Sequence, residues 1–284
     1  MTALLVARMQ WRELARRRLA LVAALLTATV ALLTAWGLNA LVHHPVRGEL
    51  PPEPMVRAAS AVIVILLAFF FTIVLATGGA LIASPALAGE IESGVALAIL
   101  ARPIRRADVV LGKWLGTLVA IAAYALAAGG LELAVIRAVT GYVPPHPLAA
   151  LAYLVGVAAV ICTAALALSA RLPSLAAGVV AVLLYGVAWI GGILGALGAA
   201  FGNERLADIA TIVALVFPSD ALWRGAVFAL EPAVFAAASN TSVAGSFNPF
   251  GVGAPPTPAM LLWSVGWLAA VFAAAVASYR VRDL

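Results

Sequence analysis

Residues 148–200 read LAALAYLVGVAAVICTAALALSARLPSLAAGVVAVLLYGVAWIGGILGALGAA, two apolar runs joined by the short link RLPS at residues 171–174. Arg171 is the one charged residue of this stretch. Crossing a bilayer takes about 20 mostly apolar residues, because about 30 Å of hydrocarbon is crossed at about 1.5 Å per helical residue. Both runs are long enough, so residues 148–170 and 175–200 are predicted to form a membrane-spanning helical hairpin.

The composition of the whole chain extends this pattern. Of its 284 residues 65% are apolar and 10% are charged, and the mean hydropathy is +1.11. Soluble domains are about 45–50% apolar and about 25% charged. Four more runs are long enough to span a membrane: residues 20–42, 59–83, 109–139 and 259–279. We predict an all-α polytopic membrane protein with one transmembrane domain over residues 1–284, six spans and no separate soluble catalytic domain.

The N-terminal residues 1–18 are basic and amphipathic. Arg8, Arg12 and Arg16 recur at every fourth position, which places them on one face of a helix. This pattern is typical of an interfacial elbow helix whose arginines meet anionic lipid headgroups. A signal peptide also begins with basic residues, but the apolar run that follows is too long for one.

The distribution of basic residues orients the spans. With the N-terminus inside, twelve of the 17 Lys and Arg residues lie on the inner side and five on the outer side. Because basic residues are enriched in cytoplasmic loops, this bias places the N-terminus in the cytoplasm. The expected location of this multi-pass protein is the plasma or inner membrane. Six spans then leave both termini in the cytoplasm.

The connection at residues 201–258 lies on the outer side in this topology. Residues 208–230 are largely apolar but are broken at Pro218-Ser219-Asp220, and each half is too short to span. Re-entrant or interfacial outer helices are therefore predicted. Five glycines between residues 191 and 202 predict close helix packing in the fifth span, either within one subunit or between two.

Charge is concentrated in residues 89–116, GEIESGVALAILARPIRRADVVLGKWLG. Residues Leu87–Ala101 are predicted to form one helix, which ends at Arg102-Pro103 because proline disfavours helical geometry in the residue before it. The topology places this segment between spans two and three on the cytoplasmic side. A short, charged surface helix there suits docking to a soluble partner.

The same stretch resembles a segment shared by ABC-2 type transporter permeases. The resemblance is carried by the patterns E-I-E-x-G, L-A-x-P-I-x-R and L-G-K-x-x-G, and in outline it extends over the whole chain. The matching positions are Glu90, Glu92, Gly94, Leu100, Pro103, Arg106, Gly112 and Lys113. Within that family the chain is most similar to the compact bacterial subunits grouped with multi-copper-enzyme maturation and drug efflux. Val95, where the family often has threonine, is a small departure.

The resemblance implies a division of labour between subunits. A permease of this kind pairs with a second permease copy and with two copies of an ATP-binding subunit, and residues 86–106 are the coupling segment that inserts into the ATPase. The implied ATPase-coupling residues are Glu90, Glu92, Gly94, Arg102, Pro103, Arg106 and Lys113. The other interpretation of these charges is that they only fix the topology and hydrate a loop.

The chain itself has no phosphate-binding motif. Gly112-Lys113 is followed by Trp114 and lacks the upstream glycine of G-x-x-x-x-G-K-[ST]. We therefore predict no enzymatic activity and no cofactor in this chain, with ATP and Mg²⁺ in the partner subunit. The histidines at positions 43, 44 and 146 have no carboxylate or cysteine placed to complete a metal site, so no metal ligand is predicted.

Three residues within the spans are candidates for a substrate path. Phe70 and Phe71 lie in the middle of span two, where their rings meet an apolar substrate, lipid or neighbouring helices. Glu132, near the outer end of span three, either lines the path or responds to protons, or it is hydrated or paired with Arg137 at the interface.

The function that follows is an exporter permease that contacts membrane lipid and does not bind nucleic acid. Two alternatives are open. One is a mechanotransmitting subunit that drives an extracytoplasmic partner without moving a solute. The other is a structural membrane subunit that works without an ATPase.

Overall fold

The computed structural model describes residues 2–16, 18–43, 50–94, 105–231, 252 and 254–281, and these residues form helices and no strand. The helices are α1 (Thr2–Arg16), α2 (Arg18–His43), α3 (Glu53–Ala83), α4 (Ala88–Glu92), α5 (Arg106–Thr140), α6 (Pro147–Ser169), α7 (Ser174–Phe201), α8 (Glu204–Val216), α9 (Ser219–Leu230) and α10 (Pro258–Val281). A 3-10 turn at Ser84–Ala86 joins α3 to α4.

Six of these helices are long and apolar enough to cross a membrane, namely α2, α3, α5, α6, α7 and α10. The predicted class, an all-α polytopic membrane protein with six spans, is confirmed. Two helices extend beyond their apolar runs: α3 begins at Glu53 and α5 at Arg106. The added turns contain charged residues, Glu53 and Arg57 in α3 and Arg106 and Asp108 in α5, because a helix can continue past the hydrocarbon into water.

The buried core of the bundle is built around α6. This helix packs against α3, α5, α7, α9 and α10. Its side chains at Val157, Ile161 and Leu166 are no more than 1% exposed. By contrast α2 and α10 lie at the periphery with most of their apolar side chains exposed, which is the pattern of helices that face lipid.

The pair α8 and α9 is bent by 101° at Phe217-Pro218, which is close to the break expected from the sequence. By length and composition the pair is either a broken span or a re-entrant loop. Residues of α9 are mostly buried against α6, whereas α8 has no buried residue. The chain reverses into α8 at Gly202, which has a left-handed φ of 63°, and the side chain of Asn203 accepts hydrogen bonds from the first backbone amides of α8.

The glycines of α7 allow α8 to lie directly on it. A Cβ at Gly191 would be 2.5 Å from Val213, and a Cβ at Gly198 would be 2.9 Å from the backbone nitrogen of Ala207. Gly195 likewise faces α8, through Ala210. Small residues are what allow two helices in a membrane protein to approach so closely. The glycine stripe of the fifth span therefore serves packing within this chain.

Candidate functional site

One end of the bundle gathers the predicted charged residues. It contains α1, residues 84–94, the start of α5, the α6–α7 link and the end of α10. We call this the basic end. Of the implied coupling residues, Glu90, Glu92, Gly94, Arg106 and Lys113 are found here, while Arg102 and Pro103 lie outside the described residues.

Glu92 caps the first turn of α7. Its Oε1 accepts a hydrogen bond of 2.7 Å from the Ser174 backbone nitrogen, and its Oε2 accepts one of 2.7 Å from the Ser174 hydroxyl. The residue at the cap position itself is Pro173, whose side chain supplies no hydrogen bond. Glu92 therefore satisfies an amide that the helix leaves free, and its negative charge lies where the helix dipole favours one.

Lys113 forms the centre of a buried polar cluster at the basic end. Its side chain is only 10% exposed, and its Nζ lies 2.5 Å from Glu90 Oε1. The same Nζ donates a hydrogen bond of 2.8 Å to Oε1 of Gln10 in α1. A buried ammonium group needs such partners because the loss of its hydration is costly. The cluster joins α1, α4 and α5 through one cation.

The glycines on either side of Lys113 explain why α1 lies so close to α5. A Cβ at Gly112 would be 2.5 Å from Val6 Cβ and 2.6 Å from the Ala3 carbonyl oxygen. A Cβ at Gly116 would be 2.7 Å from the carbonyl oxygen of Ala7. The G-K-x-x-G pattern thus gives α5 two positions without side chains, against which α1 packs. The side chain of Lys113, between them, contacts Gln10 and Glu90.

Arg106 binds the end of the last span. Its Nη1 donates to the carbonyl oxygens of Tyr279 at 3.2 Å and Arg280 at 3.1 Å. The last carbonyls of a helix have no partner within the helix and carry partial negative charge, so a guanidinium group stabilises them. The start of α5 and the end of α10 are therefore held together.

The expectation of one helix from Leu87 to Ala101 is wrong. The helix α4 ends at Glu92, and a turn follows at Ser93-Gly94. Gly94 has a φ of 74°, a left-handed conformation that ends helices and that glycine adopts without a Cβ penalty. The part of the expected helix after Gly94 lies outside the described residues.

The opposite end of the bundle has its own charged contact. Arg224 Nε donates to Asp220 Oδ2 at 2.8 Å within α9, and the Arg224 Nη2 donates to the carbonyl oxygen of Gly192 in α7. A Cβ at Gly192 would overlap the carboxylate of Asp220. This contact fixes α9 against α7, and sequence reasoning missed it because no local pattern links positions 192 and 224.

A cavity of about 150 Å³ lies among α2, α3, α5 and α6, and Phe70, Phe71 and Glu132 all line it. The three residues proposed for a substrate path are thus brought together. The ion pair considered between Glu132 and Arg137 is absent from the described residues. The two residues are five positions apart on α5, so they point in directions that differ by about 140°, and Arg137 is exposed.

The fold and these contacts define a multi-pass membrane protein whose charged residues tie helix ends together at the basic end. The chain matches the family model described as ABC-2 family transporter protein over residues 4–284. The chain therefore belongs to the ABC-2 transporter family. None of the curated proteins matches it.

Family membership makes the chain a membrane subunit of an ABC transporter and not itself the ATPase. It also implies an ABC ATP-binding partner. The sequence patterns that carried the resemblance have structural roles in this chain: the glutamates, the lysine and the arginine bind other helices, and the glycines make room for α1 or end α4.

Proposed function

We propose that this chain is the permease of a dimeric ATP-driven exporter, in a plasma or inner membrane, with both termini and the basic end in the cytoplasm. Two copies of a separate ATP-binding subunit, carrying Mg²⁺ and ATP, contact the coupling segment at residues 86–106. Closure of the ATPase displaces this segment, and the displacement opens and closes a path for the exported substrate.

The observation that carries the proposal is how the coupling segment is connected. Glu92 binds the start of α7, and Glu90 binds Lys113 of α5 and, through it, α1. Arg106, at the far end of the segment, binds the end of α10. A force applied to one short segment therefore acts on three membrane-spanning helices and on α1. A hydrated loop with no role in coupling has no need of these connections.

The first test is a tagged pull-down of the full chain from its native membrane, followed by mass spectrometry. We expect an ATP-binding subunit to copurify, and the charge reversals Glu92→Lys and Arg106→Glu to release it. The matched control is Glu204→Lys, an exposed reversal at the start of α8, at the opposite end of the bundle. It should leave the association unchanged.

Because Glu92 also caps α7, loss of the cap must be separated from loss of docking. Ser174→Ala removes the internal hydroxyl partner and leaves the Glu92 carboxylate in place. We expect this variant to keep the ATPase. If no ATPase copurifies under mild detergent, or if Glu92→Lys retains both association and coupled turnover, the coupling proposal is wrong and a structural membrane subunit is favoured.

Transport is tested separately, in vesicles that contain the permease and its ATPase. Substrate-stimulated ATP hydrolysis or ATP-dependent accumulation in inverted vesicles is the expected result. Retained ATPase association with no transport would instead support the mechanotransmitter, in which the bent pair α8–α9 acts on an extracytoplasmic partner.

A further inference from the structure

The cavity among α2, α3, α5 and α6 is almost entirely apolar. Its walls are formed mainly by Leu, Val, Ile and Ala side chains and by the rings of Phe70, Phe71 and Tyr124. The Tyr124 hydroxyl is already hydrogen-bonded to the hydroxyl of Thr27, at 3.0 Å. One ionisable carboxylate, that of Glu132, lines this otherwise apolar space.

Both oxygens of Glu132 are buried, and neither has a hydrogen-bond partner among the described residues. The Thr34 side chain of α2 lies beside the carboxyl group but makes no hydrogen bond of acceptable geometry. Buried polar groups in folded proteins are nearly always paired, and intramembrane carboxylates face partners or pathways. The cavity that Glu132 lines is the space available to such a partner.

The boundary between α2 and α3 is the loosely packed side of the cavity. These two helices make few contacts with each other, because α2 packs chiefly on α5. The wall residues Leu26, Phe70 and Val74 are also exposed on the surface of the helix bundle. A molecule dissolved in the surrounding lipid can therefore reach Glu132 through an apolar opening.

The charge and shape of the site select the class of molecule. The carboxylate of Glu132 repels an anion. A purely apolar molecule leaves both carboxylate oxygens of Glu132 unpaired. Divalent metal ions of the hard class need six or more oxygen ligands, and Glu132 is the one carboxylate among the described residues that line the cavity. An ammonium group donates several hydrogen bonds to a carboxylate and is also attracted to the faces of aromatic rings.

We propose that this cavity binds a small organic ammonium ion with an apolar body. Glu132 pairs with the ammonium group, and the rings of Phe71 and Tyr124, whose centroids are 5.8 Å apart, contact the apolar body. The volume of about 150 Å³ is similar to that of cavities that hold one benzene molecule, which limits the buried part of the ligand to about one ring. That the ammonium ion is a transported substrate rests on the proposed exporter function. That the cavity binds it does not.

The test is equilibrium binding to the full chain, purified in lipid nanodiscs without ATP or ATPase. The probe is phenethylammonium, and 2-phenylethanol is its neutral counterpart of nearly the same shape. We expect the ammonium to bind more tightly than the alcohol, and Glu132→Gln to weaken ammonium binding by about tenfold or more, as removal of one charge from a partly desolvated pair does. The alcohol should bind equally to both proteins.

Two further variants keep the test decisive. Glu132→Asp retains the charge and should bind the ammonium better than Glu132→Gln does. Glu204→Gln, which removes an exposed carboxylate outside the cavity, should bind like the unaltered protein. Equal binding of ammonium and alcohol, or ammonium binding that survives Glu132→Gln, overturns the proposal. Binding without subsequent transport contradicts the exporter function and leaves the site intact.

Discussion

The position of α1 on α5 can be tested by adding one methyl group at Gly112. A Cβ there would lie 2.5 Å from Val6 Cβ and 2.6 Å from the Ala3 carbonyl oxygen. Unstrained contacts between carbon atoms are about 3.5–4.0 Å, so Gly112→Ala requires α1 to move away by about 1 Å. The carbonyl belongs to the backbone of α1 and cannot rotate aside, so the whole helix must move.

Gly130→Ala is the matched control, because Gly130 is in the same helix and a Cβ there meets nothing within 4 Å. Replacing glycine by alanine within a helix stabilises the folded protein by about 1 kcal/mol in both variants. Overpacking costs about 1–3 kcal/mol in Gly112→Ala alone. The difference between the two variants therefore isolates the overpacking, and we expect Gly112→Ala to be the less stable by about 1–3 kcal/mol.

The measurement is the free energy of unfolding in mixed micelles, by titration with a denaturing detergent and tryptophan fluorescence. The shift of α1 should also lengthen the 2.8 Å hydrogen bond between Lys113 and Gln10. If the two alanine variants change stability by the same amount, α1 does not lie on α5 as described, and the role given to the G-K-x-x-G pattern is refuted.

Two other contacts give predictions of the same kind. Lys113→Met leaves the Glu90 carboxylate without its cation and should lower the free energy of unfolding by about 3 kcal/mol. Adding Glu90→Gln to this variant should restore part of the lost stability. Strictly additive losses in this double-mutant cycle would argue against the ion pair between Lys113 and Glu90. Gly192→Ala makes the new methyl overlap the Asp220 carboxylate and should cost about 2 kcal/mol, seen as a lower melting temperature. Gly186→Ala, in open space on the same helix, should not lower it, and equal behaviour of the two would contradict the α7–α9 contact.

The spans and the break between α8 and α9 were predictable because both depend on local sequence. The length of an apolar run shows whether it can cross the hydrocarbon. Proline at position 218 favours a break or kink because it lacks a backbone N–H and clashes with the preceding turn. The helix ends were less predictable. Glu53 and Arg106 begin their helices outside the apolar runs, since charged residues are tolerated wherever a helix emerges into water.

The partners of the charged residues were not predictable, because they are distant in sequence. Glu92 and Ser174 are 82 residues apart, and Arg106 and Tyr279 are 173 apart. Nothing local marks Ser174 as the partner of a glutamate, although a serine at the start of a span is a recognisable helix-start signal. The break at Gly94 was missed for another reason: the apolar positions continue at helical spacing through it, and only the backbone conformation shows that α4 stops.

The contacts of the coupling segment differ in strength, and this difference has a consequence for the proposed exporter. Lys113 is buried and the Glu90 side chain is only 17% exposed, so separating them leaves an unpaired charge largely away from water at a cost of about 3–5 kcal/mol. The contact between Glu92 and Ser174 is exposed, and losing a helix cap of this kind costs about 1 kcal/mol because water replaces it. If an ATPase displaces the segment as proposed, we expect the Glu92 cap to break before the ion pair, so that Lys113 keeps the segment joined to α1 and α5. The start of α7 then loses its hydrogen bonds to the segment and is held by its packing against α3 and α6. Any movement of α7 in the proposed exporter would carry α8 and, through Gly192 and Arg224, α9 at the opposite end of the bundle.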